Sequence, residues 1–373
     1  MPHGVRLLLA VTVTLAGICF ASGANKSRPV NRDVSLQKYR IEKALGQNVI
    51  SWLCDANDAA AVECDRLADS LLSLEEPDVR SYFLAAQVAR LRQKSDKAIT
   101  IMENVISIYP DEKSPTMAFP VKIVGRFLIG TVAKQSGDIK KAENVYKAIL
   151  EELKNIEDSR GKEGLTMICN LYLAEIESLH LKRNDLALAR LESIQQIKKP
   201  TGHGHWGIQF EVYKGWAAYE HTRISKGKTQ AVQQLVMHPD MMAAPFVAGT
   251  QLNLCGLTGG PLDGIGSDKR INVVADTLFD RAVRNVSSPI DKSLARLGHG
   301  FDQQYRKKFT RAEMHYSALF EEDSYFSPMA GLLLAHCKKA QGKTTEADGI
   351  LEEVKAKYPG YDSAVTKLKE SWE

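Results

Sequence analysis

Apolar residues recur at intervals of three and four along almost the whole chain from Leu36 onward. That spacing places them on one face of an α-helix. In the first such segment, Ile41, Leu45 and Val49 form the apolar face. The pattern predicts an all-α fold.

A short turn motif recurs between these helical segments. Residues 137–142, 184–189 and 342–347 each place a turn residue five positions before an alanine, and residues 95–98 give a shortened version. A helical pattern precedes and follows each copy. The repetition predicts a series of antiparallel helix hairpins.

Whole hairpins laid out around this motif resemble the tetratricopeptide repeat (TPR), a helix–turn–helix unit of about 34 residues. The family's fold implies an α-solenoid of stacked antiparallel hairpins, a TPR-like superhelix in which neighbours cover one another's apolar faces. The unit around Ala189 departs from the family, since Glu177 stands where a small residue is expected. A non-repetitive bundle with alanine-rich crossings is the alternative. The matching positions are Tyr82, Ala86, Ala98 and Pro110, then Gly130, Ala142 and Tyr146, then Gly300, Ala312 and Tyr316, and last Ala335, Ala347, Leu351 and Pro359.

A glycine-rich segment interrupts the helical pattern. Six glycines and Pro261 fall within residues 249–266, a density that no helix tolerates. The interruption predicts an N-terminal helical array at residues 25–240, a linker at 241–268 and further repeats at 269–373. The loop is interpreted as a linker or cover, with a ligand site as the alternative.

The N-terminus has the order of a secretory signal. A short basic segment precedes the uncharged apolar run of residues 7–20, and small residues follow up to Ala24. We therefore expect residues 1–24 to be a signal peptide and the mature protein to begin at Asn25, in a periplasm or outside the cell. An uncleaved anchor is the alternative. No later run is long enough to span a bilayer, so no stable membrane span is expected after cleavage.

Five cysteines remain after the expected cleavage, and in an oxidising compartment an odd number leaves one thiol over. Cys54 and Cys64 flank the turn between the first two predicted helices. They form the candidate disulfide, with two unbonded thiols as the alternative.

Charge and motifs limit the chemistry. A net charge of +4 on 373 residues is too weak to indicate a nucleic-acid partner. No catalytic or phosphate-binding motif occurs, so the protein is not expected to be an enzyme or to hold a cofactor. His203 and His205 have no further ligand at suitable spacing, and no metal site is predicted.

The resemblance implies a protein-interaction scaffold whose concave groove, lined by the first helix of each unit, holds another protein or a peptide. Arginines among the groove residues favour an acidic partner. An enzyme or a carbohydrate- or small-molecule-binding protein, with its site under the loop at 249–266, is the alternative. Uneven charge, acidic at 55–78 and basic at 268–311, adds self-association as an expectation. Transferred from the family, the groove residues are Arg80, Phe83, Gln87, Arg90, Phe127, Thr131, Lys134, Leu332, His336 and Lys339.

Overall fold

The computed structural model describes residues 32–115, 119–157, 160–198, 205–236, 271–285 and 288–372. Within these ranges the chain forms sixteen α-helices and no β-sheet, which confirms the all-α prediction. The expected signal peptide, the linker at 241–268 and His203 lie outside the described residues, so those expectations remain predictions. None of the described helices combines the length and apolarity needed to cross a bilayer.

The chain divides into two compact units, and the first contains residues 1–136 and 253–278. Its first five helices pack each against the next along the chain, which is the nearest-neighbour arrangement of a helical repeat array. Asn57 caps the second helix and Asp78 the third. The five helices are α1 (Arg32–Asp55), α2 (Asp58–Leu72), α3 (Val79–Leu91), α4 (Ser95–Ile108) and α5 (Val121–Ser136).

The second unit contains residues 137–252 and 279–373. It holds two runs of neighbouring helices, α6 to α10 and α12 to α15, followed by α16, which packs on α14 and α15. Helix α11 (Ile271–Asn285) enters this unit at Phe279. The other helices are α6 (Ile139–Leu153), α7 (Arg160–Glu175), α8 (Asn184–Gln196), α9 (His205–Lys226), α10 (Lys228–Gln233), α12 (Pro289–Tyr305), α13 (Phe309–Glu321), α14 (Ser327–Ala340), α15 (Thr344–Lys357) and α16 (Asp362–Glu370).

The recurring turn has a common backbone conformation. Besides the α1–α2 turn, in which Ala56 precedes the buried Ala61, five turns have a residue with positive φ five positions before an alanine that is at most 2% exposed. Glycine takes the left-handed position at Gly137 and Gly342, whereas glutamine or lysine takes it in the other three turns. A side chain disfavours that conformation, so the turn is retained at a local cost. The pairs are Gln93 with Ala98, Gly137 with Ala142, Lys182 with Ala187, Lys307 with Ala312, and Gly342 with Ala347.

The third of these turns corrects the sequence register. The turn motif at residues 184–189 predicts that Ala189 lies at the helix crossing. In the structure Ala189 is exposed, whereas Ala187 is fully buried. A π-helical turn, Ile176–His180, ends the preceding helix and holds one residue more per turn than an α-helix. In the other units, the small residue of the first helix stands 12 positions before the alanine of the second. With one inserted residue the spacing becomes 13, and the position before Ala187 is then Ala174, which is 1% exposed.

The expected disulfide between Cys54 and Cys64 is not formed. Cys54 lies one residue before the end of α1, and Cys64 is the seventh residue of α2. At a rise of 1.5 Å per residue, Cys54 and Cys64 are separated by about 7 Å along the axes of the two antiparallel helices. That separation is larger than the distance between Cα atoms that a disulfide spans. Cys64 is instead a buried thiol, and burial raises its pKa to about 12.

Part of the acidic stretch at residues 55–78 is neutralised by ion pairs within its own unit. Asp65 accepts from Arg92 Nε at 3.2 Å and from Lys94 Nζ at 2.9 Å, and Lys97 Nζ lies 2.6 Å from Asp69. These ion pairs join α2 to α3 and to the beginning of α4. The acidic residues therefore hold neighbouring helices together as well as facing solvent.

Candidate functional site

The residues expected to line the groove on α3 divide by exposure. Phe83 is 2% exposed and packs in the core, whereas Arg80, Gln87 and Arg90 are half-buried at the surface. Arg80 Nε donates to Glu42 Oε1 at 3.3 Å, so this arginine already has an acidic partner within the unit. Gln87 and Arg90 are the other two expected groove residues of this helix that reach its surface.

Gln87 and Arg90 also border a small cavity between α3, α4 and α5. Its volume of about 20 Å³ suits one water molecule and no larger ligand. Gln87 Oε1 is buried and accepts no hydrogen bond from the described residues. The other lining residues are Ala86, Ala98, Ile99, Met102, Leu128, Ile129 and Val132.

The expected groove residues of α5 are enclosed. Phe127, Thr131 and Lys134 are 1%, 0% and 2% exposed, and Thr131 Oγ1 donates to the Phe127 carbonyl at 2.9 Å. Almost every residue of this helix is buried, which is typical of a helix packed on all sides. In this conformation, these three side chains offer no surface to a partner.

Helix α14 repeats the division seen on α3. Leu332 is 2% exposed, while His336 and Lys339 are half-buried at the surface, and burial lowers the pKa of His336. The Lys339 ammonium lies 5.4 Å from the centre of the Trp372 ring, a cation–π contact. Trp372 Nε1 is buried and donates no hydrogen bond to the described residues. Sequence reasoning missed Trp372, because nothing local shows that the chain end returns to α14.

Two segments of the chain, residues 80–112 and 329–361, match the tetratricopeptide repeat. The array formed by the described helices is therefore tetratricopeptide-like. The first match covers α3 and α4, and the second covers nearly all of α14 and α15. A search of curated proteins finds no match.

The two matched repeats carry the same pattern on their first helices. Each residue of the second match stands 249 positions after its counterpart in the first. Phe83 thus corresponds to Leu332, Gln87 to His336 and Arg90 to Lys339. An apolar core residue, a half-buried polar residue and a half-buried cation therefore recur together in two repeats.

A buried polar network lies elsewhere in the second unit, between α7 and the beginning of α12. Tyr172 Oη donates to Asp291 Oδ1 at 3.0 Å, and Ser288 Oγ donates to Glu175 Oε1. Glu175, Ser288 and Asp291 are at most 5% exposed, and Tyr172 is fully buried. These hydrogen bonds tie the N-terminus of α12 to α7.

Burial, with a smaller effect from Glu175 of this network, raises the pKa of a neighbouring glutamate. Desolvation raises the pKa of Glu220 above its usual value, outweighing the Arg223 guanidinium 2.7 Å away, and the Glu175 carboxylate adds to the rise. Perturbed carboxyl groups occur at functional sites and in structural networks alike. Among the described residues, no group of three or more His, Cys, Asp or Glu could hold a metal ion.

The raised pKa of Glu220 predicts a pH dependence of stability. The unfolded chain ionises this carboxyl at its usual pKa, whereas the folded chain does so only at higher pH. The contribution of Glu220 to stability is therefore fully present below the usual value and is lost as pH rises through the folded pKa. Glu220→Gln should flatten that fall in thermal unfolding scans between pH 4 and pH 8, whereas the control Glu353→Gln, at an exposed site, should not. Equal pH profiles for Glu220→Gln and the unmodified protein would contradict this reading.

Proposed function

We propose that this protein is an exported, non-enzymatic scaffold that binds a peptide or partner protein on the first-helix faces of its tetratricopeptide-like repeats. Repeats of this family are generally protein-interaction modules. The observation that carries the proposal is the recurrence of a half-buried cation, Arg90 and Lys339, at equivalent positions of both matched repeats. Equivalent surface positions are where stacked repeats present a binding surface.

The chemistry of these positions favours an acidic partner. Arg90 offers a planar set of donors that suits a carboxylate, and Lys339 places its ammonium over the Trp372 ring. Gln87 and His336 stand one helical turn away at the corresponding positions. A peptide with acidic side chains, or with its terminal carboxylate at this surface, therefore fits better than a basic peptide.

Peptide selection tests this proposal. A random peptide library displayed on phage and selected against the purified chain should yield sequences enriched in Asp and Glu. Arg90→Glu combined with Lys339→Glu should weaken binding of the selected peptides about tenfold or more, because each exchange replaces attraction by repulsion. Lys140→Glu combined with Lys226→Glu, the same change of charge at exposed residues of α6 and α9, is the matched control.

The outcomes separate three cases. Loss of binding in the double variant with binding retained in the control supports the proposed surface. Equal binding by all three proteins would exclude Arg90 and Lys339 as binding residues. A library that yields no binding peptide would count against the scaffold itself.

Export is proposed from the signal-like segment at residues 1–24 alone. Protein recovered from the periplasm or culture medium of its host should begin at Asn25 on N-terminal sequencing. Recovery of an intact Met1 in a soluble cell fraction would contradict export.

A further inference from the structure

Residues 33–44 of α1 have no buried side chain. Leu45, the next residue, is buried. Yet this stretch includes several apolar residues at helical spacing, of which Leu36 is 49% and Tyr39 is 60% exposed. Large apolar side chains that are about half or more exposed on a helix indicate a contact that the described part of the unit does not supply.

Helix lengths explain the exposure. Helix α1 has 24 residues and α2 has 15, so their lengths are about 36 Å and 22 Å. Since the two pack as a hairpin, the first turns of α1 extend past the end of α2. Two polar contacts hold this extension to the beginning of α3: Lys38 pairs with Asp78, and Glu42 with Arg80. A helical extension of about nine residues gains little stability in water without packing.

The exposed face of the extension is self-complementary in charge. Asp33, Leu36, Arg40 and Lys43 are all exposed and follow one another at intervals of three and four, so they share one helix face. Two copies of this helix can pair antiparallel, with the twofold axis passing at residue 38. Each Asp33 then lies opposite Lys43 of the other copy. The pairing also places each Leu36 against the aliphatic part of the other Arg40.

We propose that this face of α1 is a self-association surface, at which two copies of the chain pair antiparallel through a twofold axis. A twofold contact is satisfied by one patch used twice, and the acidic and basic ends of this patch match that requirement. The proposal does not depend on peptide binding by α3 or α14.

The last helix does not offer a corresponding surface. The exposed residues of α16 are all polar, as in a terminal helix that caps a repeat array. Head-to-tail stacking through α16 is therefore disfavoured, which leaves pairing of α1 with itself. These exposed residues are Asp362, Ser363, Thr366, Lys367 and Glu370.

Charge exchange tests the proposal by sedimentation equilibrium over a range of chain concentrations. The unmodified chain should reach twice the mass of a single copy. Asp33→Lys alone, or Lys43→Asp alone, should weaken dimerisation about tenfold, because each change turns two attractive pairs into two repulsive ones. Asp185→Lys, at an exposed residue of α8, is the matched control and should leave the dimer unchanged.

Two recovery experiments keep the test independent of folding. A chain carrying both Asp33→Lys and Lys43→Asp should dimerise again, and an equal mixture of the two single variants should form heterodimers. A chain that stays monomeric at every concentration overturns the proposal. So does a dimer that none of the exchanges weakens, or single variants that do not recover on mixing.

Discussion

Arg190→Met should lower the free energy of unfolding by about 3–5 kcal/mol, because it leaves a buried carboxylate without its counter-charge. Glu177 is 0% exposed, and Arg190 Nε donates to its two carboxylate oxygens at 2.8 and 2.7 Å. The acceptor lies in the π-turn that ends α7, and the donor lies in α8. Urea unfolding followed by circular dichroism measures the loss.

The double variant Glu177→Met/Arg190→Met is the control for this ion pair. Replacing both charges by apolar side chains of similar size removes the desolvation cost together with the attraction, so its stability should lie close to that of the unmodified protein. A single variant that loses less than about 1 kcal/mol would show that water reaches Glu177.

Gly331→Tyr should destabilise the protein by about 3 kcal/mol, although sequence comparison of the two matched repeats suggests the opposite. Gly331 corresponds to Tyr82, an aromatic position of the repeat family. Even the Cβ atom of a side chain at residue 331 would lie 2.5 Å from Val354 Cγ2 and 2.8 Å from Phe320 Cε2, which is too close for carbon atoms. Phe320 of α13 occupies the space that an aromatic ring at position 331 would need.

Gly349→Ala is the matched control for that substitution. Gly349 lies within α15, and a Cβ added there meets no atom within 4 Å. Alanine should therefore stabilise the helix by about 0.5–1 kcal/mol through its higher helix propensity. Thermal unfolding of the two variants measures both effects, and a Gly331→Tyr variant as stable as the unmodified protein would show that Phe320 can move aside.

Sequence reasoning located most of the fold because hairpin signals are local. The spacing of apolar residues and the turns before Ala142 and Ala347 are properties of short segments, and they appear in the structure as expected. The turn before Ala98 has the full five-residue spacing rather than the shortened one. The register failed only around Ala189, where a π-turn inserts a residue. An inserted residue leaves helical periodicity nearly intact, so the apolar pattern does not reveal it.

The candidate site was predicted less completely. Family positions identified Gln87, Arg90, His336 and Lys339, which the structure places half-buried at the surface. The same positions also included Phe83 and Phe127, which fill the core. Exposure depends on which helices pack across a face, and that information is spread over distant parts of the chain.

The sequence by itself determined the helices, their hairpin turns and the small residues at their crossings, since periodicity and turn chemistry act within a few residues. Only the tertiary structure decided which polar residues are buried in pairs and which face solvent. Glu177 and Arg190 are 13 residues apart, and Lys339 and Trp372 are further apart still. Contacts of this kind depend on how whole helices pack, because a charge or a ring is stabilised only by the partner that packing brings to it.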